Sequence, residues 1–137
     1  MILYGVRWKD SQSKTIYKAT KHSEYLMEYL EQRLFETGIV KDTGELPVDS
    51  PGRQYGVMLY YYKAKPRRIL LTSAPRREHN HIHIEIKSRV IDRDTLQTEG
   101  FKTGNNQEPK VPDLLIGTEI EIDKLISLII KNNFRLT

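Results

Sequence analysis

Residues 78–87 read EHNHIHIEIK, which sets three of the chain's four histidines, His79, His81 and His83, on alternate positions and continues the alternation into Glu85 and Lys87. Imidazole nitrogens and carboxylate oxygens are ligands of divalent cations, and the chain has no cysteine, so no thiolate site or disulfide competes with them. On a β-strand, residues two apart share a face. Ile82, Ile84 and Ile86 then take the core side and His81, His83, Glu85 and Lys87 the other. Successive histidines on that side stand about 7 Å apart at Cα, close enough for both rings to reach one ion. Glu85, Glu78 or His79 could complete the set. Two nitrogens and an oxygen suit Mn²⁺, Zn²⁺, Ni²⁺ or Mg²⁺, so the pattern defines the type of site and leaves the metal open. A solvated sheet face that is rich in histidine gives the same alternation, and both readings stand.

A second group of residues is basic. No acid occurs between Asp49 and Glu78, whereas Arg53, Lys63, Lys65, Arg67, Arg68, Arg76 and Arg77 all fall there. Each arginine pair follows a proline, so the pairs bracket the strand RILLTS, about 20 to 30 Å apart by strand rise. A polyanion running along that strand could touch both pairs, and a small phosphate ligand could not. Tyr60, Tyr61 and Tyr62 adjoin the segment, and alternation turns at least one ring outward, where it could stack on a base of single-stranded nucleic acid. The plainer reading is that strand-end charges keep sheet edges soluble while the tyrosines pack. The net charge of +4 and the pI near 9.2 agree with a polyanionic partner without requiring one.

His81-Ile82-His83 resembles the histidine–hydrophobic–histidine motif of the HUH endonucleases, which include rolling-circle initiators, single-tyrosine transposases and plasmid relaxases. The resemblance covers one short strand. It implies an antiparallel sheet carrying the motif centrally, helices on one side, and a divalent metal (Mn, Mg or Zn) that polarises the scissile phosphate of single-stranded DNA. A helical tyrosine would then attack to form a phosphotyrosine. The cation matters because phenol is a weak nucleophile near neutral pH. No tyrosine follows Tyr62, so the order would be that of relaxases, with Tyr25 and Tyr29, four apart on one helix face, as nucleophiles. A packing pair against the sheet is the alternative for those two rings. Glu85-Ile86-Lys87 also resembles the E-x-K of the PD-(D/E)xK nucleases, but the preceding strand supplies no acid to share Mg²⁺. There is no glycine-rich phosphate loop, no G-x-S-x-G and no zinc-finger spacing.

The elements that must position these groups are readable in outline. A chain of 137 residues, 38% apolar and 29% charged, suits one domain spanning 1–137. Residues 2–8 and 15–20 read as a hairpin. Ser23 precedes a helix over 24–37, marked by Leu26, Leu30 and Leu34 and followed by Gly38. Residues 39–52 read as a loop, followed by strands in YGVMLYYYKA, RILLTS and HIHIEIKSRVI. Residues 91–112 read as a polar surface excursion. Asp123 is a candidate cap for a last helix, KLISLIIKNNF, apolar around most of its circumference and a candidate homodimer contact. The order predicts an α+β fold, a mainly antiparallel sheet with helices packed on one face.

No run is apolar enough to span a membrane and the N-terminus lacks a signal-peptide centre, so a cytoplasmic location is expected. Three classes of function remain: a metal-dependent single-stranded DNA nickase, a non-catalytic nucleic-acid-binding module, and a small protein-binding inhibitor or subunit.

Overall fold

The computed structural model describes residues 19–47, 49–50, 56–63, 65–76, 79–104 and 108–132. The hairpin expected over 2–20 falls almost wholly outside them. The first helix, α1 (Lys21–Glu36), buries Leu26, Met27, Leu30 and Leu34 along one stripe. It begins earlier than Ser23, because Thr20 and Ser23 cap reciprocally. The Thr20 hydroxyl accepts from the Ser23 amide at 3.0 Å, and Ser23 Oγ accepts from the Thr20 amide at 2.9 Å. Gly38, with φ 77°, stops the helix in a backbone conformation that disfavours a side chain.

Six strands follow: β1 (Asp42–Glu45), β2 (Met58–Lys63), β3 (Arg68–Pro75), β4 (Ile82–Ile86), β5 (Lys102–Thr103) and β6 (Asp113–Ile116). They form one antiparallel sheet in the order β1-β2-β3-β4-β6-β5, which places the histidine strand β4 in the interior. With α2 (Arg93–Thr98) and α3 (Glu119–Lys131), the described residues have an α+β fold, as the order of elements predicts. On one face, Ile84 faces Ser73 on β3 and Leu114 on β6, while Ile82 and Ile116 form the next pair. Helix α1 packs against β3, β4 and α3 on this side. Ile82, Ile84 and Ile86 are fully buried there, and the alternation of β4 leaves His83 and Glu85 on the second face.

Three expectations about the elements are corrected. Residues 42–45 lie within the expected loop and yet form β1, because this edge strand is recruited by backbone pairing with β2 rather than by an apolar period. Gly44 belongs there for a steric reason: a Cβ would come within 3.0 Å of the Tyr61 ring. The excursion over 91–112 contains α2 and β5 and is anchored by buried Ile91, Leu96 and Phe101, so it is only partly polar surface. The last helix starts at Glu119, with Thr118 as cap, and Asp123 lies inside it. That helix buries Ile122, Leu125, Ile126, Leu128 and Ile129 within this chain, leaving Ile120 and Ile130 exposed.

Ile84 sits at the centre of this packing. Ile84→Ala should cost about 2 to 5 kcal/mol, the range for truncating a fully buried aliphatic side chain. Urea denaturation checks this, and a loss below about 1 kcal/mol would mean that the core lies elsewhere.

Candidate nucleic-acid interface

The histidines share a neighbourhood but take separate partners. The His79 and His81 rings stack, with centroids 5.2 Å apart and planes 16° from parallel. His83 donates from Nε2 to Asp113 Oδ2 at 3.1 Å. That carboxylate occupies space that only a glycine at 104 leaves, since a Cβ there would lie 2.7 Å from Asp113 Cγ. Glu85 forms an ion pair with Lys87. Among the described residues, no three His, Asp or Glu side chains gather in a way that could hold a metal ion. The expected set of His81, His83 and Glu85 is therefore not assembled, and Glu78 lies outside the described residues. Strand alternation fixes the face a side chain occupies but not its χ angles, and each group turns to a different neighbour. Burial, followed by the charges of His79, Arg76, Lys102 and His83, lowers the His81 pKa below the ordinary histidine value.

The Tyr25 and Tyr29 rings adjoin, with centroids 6.2 Å apart, but only Tyr29 packs against the core, and Tyr25 is exposed, so the packing alternative holds for Tyr29 alone. The Tyr29 phenol donates to both oxygens of Asp123, at 2.9 and 2.8 Å, and Arg33 Nε donates to the same carboxylate at 3.0 Å. This network joins α1 to α3 on the helical side of the sheet, whereas His83 and Glu85 lie on the other. Desolvation and then the bond to Asp123 push the Tyr29 pKa up to about 12. The Glu119 carboxylate raises that of Tyr25. Both shifts disfavour phenolate, the opposite of what an attacking tyrosine needs.

The basic residues divide between the two ends of the sheet. Arg68 opens β3 and Arg76 follows its last residue, so the strand separates them, and Arg77 lies outside the described residues. Arg76 is exposed beside the histidine stack. At the other end, Tyr62, Arg67, Arg68, Ile69, Lys87, Ser88, Arg89 and Val111 line an open groove of about 620 Å³. Lys65 is exposed in the turn before β3, and Lys63 Nζ lies over the Tyr62 ring at 5.7 Å.

The four cations lining this groove are not equivalent. Arg67 is held on three sides: it donates to Asp42 Oδ2 at 2.5 Å and to the Thr43 carbonyl at 3.3 Å, and its guanidinium covers the Tyr61 ring at 3.9 Å. Lys87 is paired with Glu85, and Arg89 faces Glu108 at 3.6 Å. Arg68 is exposed and makes no ion pair with any described residue. Lys63 and Arg68 are cross-strand Cα partners beside a register irregularity, so two like charges rise from neighbouring backbone positions. Of the three adjacent tyrosines, Tyr60 is buried under the helices and Tyr61 beneath Arg67, which leaves Tyr62, half-buried, to offer an aromatic wall.

Sequence reasoning found Arg67 and Arg68 but not Lys87, Ser88 and Arg89 as their neighbours. The available signal was the basic K-x-R immediately after the histidine strand, which an antiparallel meander returns to the start of β3. Ser88 and Arg89 have φ of 62° and 53°, a left-handed pair without glycine, and Ser88 Oγ donates to the Ile69 carbonyl. Such conformations cost energy and persist where surrounding contacts enforce them. No family model, curated protein or solved structure matches this chain.

The Tyr29 shift has a measurable consequence. A phenol whose folded pKa is raised from 10.0 to about 12 stabilises the fold fully below pH 10, and that contribution is lost as pH rises through about 12. Alkaline absorbance titration should show an ionisation near the top of that window that is absent in Tyr29→Phe. Normal ionisation of every tyrosine in the native protein would contradict the Tyr29–Asp123 contact.

Proposed function

We propose that this chain is a non-catalytic module that binds single-stranded nucleic acid, with DNA as the favoured form, through the groove between the start of β3 and the turn after β4. The observation that carries this reading is Arg68, an exposed cation without an ionic partner among the described residues, set opposite Lys63 in a groove lined by further cations. A phosphate seated there relieves the like-charge pairing. Tyr62, Ile69 and Val111 add an apolar wall against which a base can stack, and base stacking on aromatic side chains does not depend on sequence. Electrostatic binding of this kind falls in the range of about 10⁻⁴ to 10⁻⁶ M at physiological salt. The nickase reading asks for a metal held by His81 and His83 and a tyrosine near it. The partners of those side chains favour binding without cleavage.

Fluorescence anisotropy with a labelled oligothymidylate across a salt series tests the proposal. Affinity should fall steeply with salt, and Arg68→Ala should weaken binding and reduce the slope of log K against log salt by about one. A flat salt dependence, or an Arg68→Ala variant indistinguishable from the parent, would remove the groove reading and favour a protein partner. The His81→Ala, His83→Ala double variant should retain oligonucleotide affinity within about twofold, a difference of under ~0.5 kcal/mol. The parent protein given Mn²⁺ should yield neither cleavage nor a covalent adduct. Trapping such an adduct would restore the nickase.

A further inference from the structure

Arg89 lines the same groove as Arg68 but faces a carboxylate. Glu108, from the segment before β6, places Oε2 3.6 Å from Arg89 Nη2, with both side chains substantially exposed. That separation exceeds the roughly 2.7 to 2.9 Å of a strong charge-assisted hydrogen bond, and exposed pairs of this kind contribute little to stability. The Glu108 side chain also accepts from the Lys110 amide at 3.1 Å through Oε1, so the carboxylate is oriented by its own turn. Arg89 itself is presented by the two-residue left-handed turn that Ser88 ties to β3. The turn therefore holds an arginine beside Arg68 in a backbone conformation unfavourable for both of its residues. The contact that opposes it is long and exposed.

We infer that Arg89 is a second phosphate subsite of the groove, occupied by the Glu108 carboxylate in the absence of ligand and by a second phosphate of the nucleic-acid strand when it binds. The inference rests on the nucleic-acid reading of the groove and specifies it: the ligand presents at least two anionic groups, one to Arg68 and one to Arg89. A single phosphate group fills the first subsite without displacing Glu108. Arg67 does not serve in this way, because its contacts with Asp42, Thr43 and Tyr61 hold it in the sheet. Lys87 remains with Glu85, two residues before it in the chain. Glu108 is the acid that enters from outside the β1–β4 meander, and its replacement leaves the strand pairings in place.

Glu108→Gln provides the test, since it keeps the acceptor for Lys110 and removes the charge that occupies Arg89. The probe is an oligothymidylate of about 12 nucleotides, within the roughly 4 to 16 nucleotides that single-strand-binding folds cover. At about 50 mM salt the variant should bind about three- to fivefold more tightly than the parent and show a salt slope steeper by about one. Adding Arg89→Ala to Glu108→Gln should abolish the gain. Parent-like affinity in Glu108→Gln, with Arg68→Ala still weakening binding, would overturn the second subsite and leave the groove reading intact. A gain that survives Arg89→Ala would also overturn it, because the effect would then be one of net charge. Absence of oligonucleotide binding by the parent would remove both readings together.

Discussion

The period-two alternation of β4, held in the middle of an antiparallel sheet, is the constraint on which the arrangement depends. Ile82, Ile84 and Ile86 are fully buried under the helices, and a shift of one residue would place three charged or imidazole side chains in that core. Register is therefore fixed by burial. With it are fixed the pairing of Leu71 with Ile86 and the path of the chain past Lys87 into the turn at Ser88 and Arg89. Because β3 and β4 are antiparallel neighbours, the end of the histidine strand returns to the beginning of β3, and the cations of two separate sequence segments meet there. The helical core and the basic groove are consequences of one strand pairing.

Electrostatics at this groove are local. A net charge of +4 is modest for a chain of this length, and three of the four cations that line the groove, Arg67, Lys87 and Arg89, have an acid close by. The pairs differ in how firmly they are held. Arg67 combines an ion pair, a carbonyl contact and a ring and behaves as part of the sheet. Arg68 has no such partner among the described residues, and Arg89 has a distant one. Cations of this second kind recognise a ligand at low cost, because little existing interaction is lost when a phosphate arrives. The histidine end of the sheet has a different character, with a stacked imidazole pair and, among the described residues, the exposed Arg76.

The parts of this architecture that were legible in the sequence are those where periodicity reports burial directly. The leucines of α1, the isoleucines of β4 and the α+β order all follow from side-chain patterning. Edge strand β1 carries no such pattern, since DTGE pairs through its backbone, and β6 has only four residues, so neither announces itself. At the candidate site, the basic character of Arg67 and Arg68 was visible in composition. Their union with Lys87 and Arg89 needed strand order, and the separate partners taken by His81, His83 and Glu85 needed side-chain rotamers. Helical spacing correctly placed Tyr25 and Tyr29 on one face. The Asp123 that engages Tyr29 lies 94 residues away along the chain, and no local pattern reports a contact of that kind.

Backbone amide chemical shifts followed during titration with an unlabelled oligothymidylate test the central claim most directly, because they locate contact without altering any residue. The largest changes should fall together on Tyr62, Arg67 to Ile69, Lys87 to Arg89 and Val111, while α1 and α3 stay unmoved. Changes centred on Arg76 and His79 to His83, or spread evenly over the exposed lysines, would contradict it.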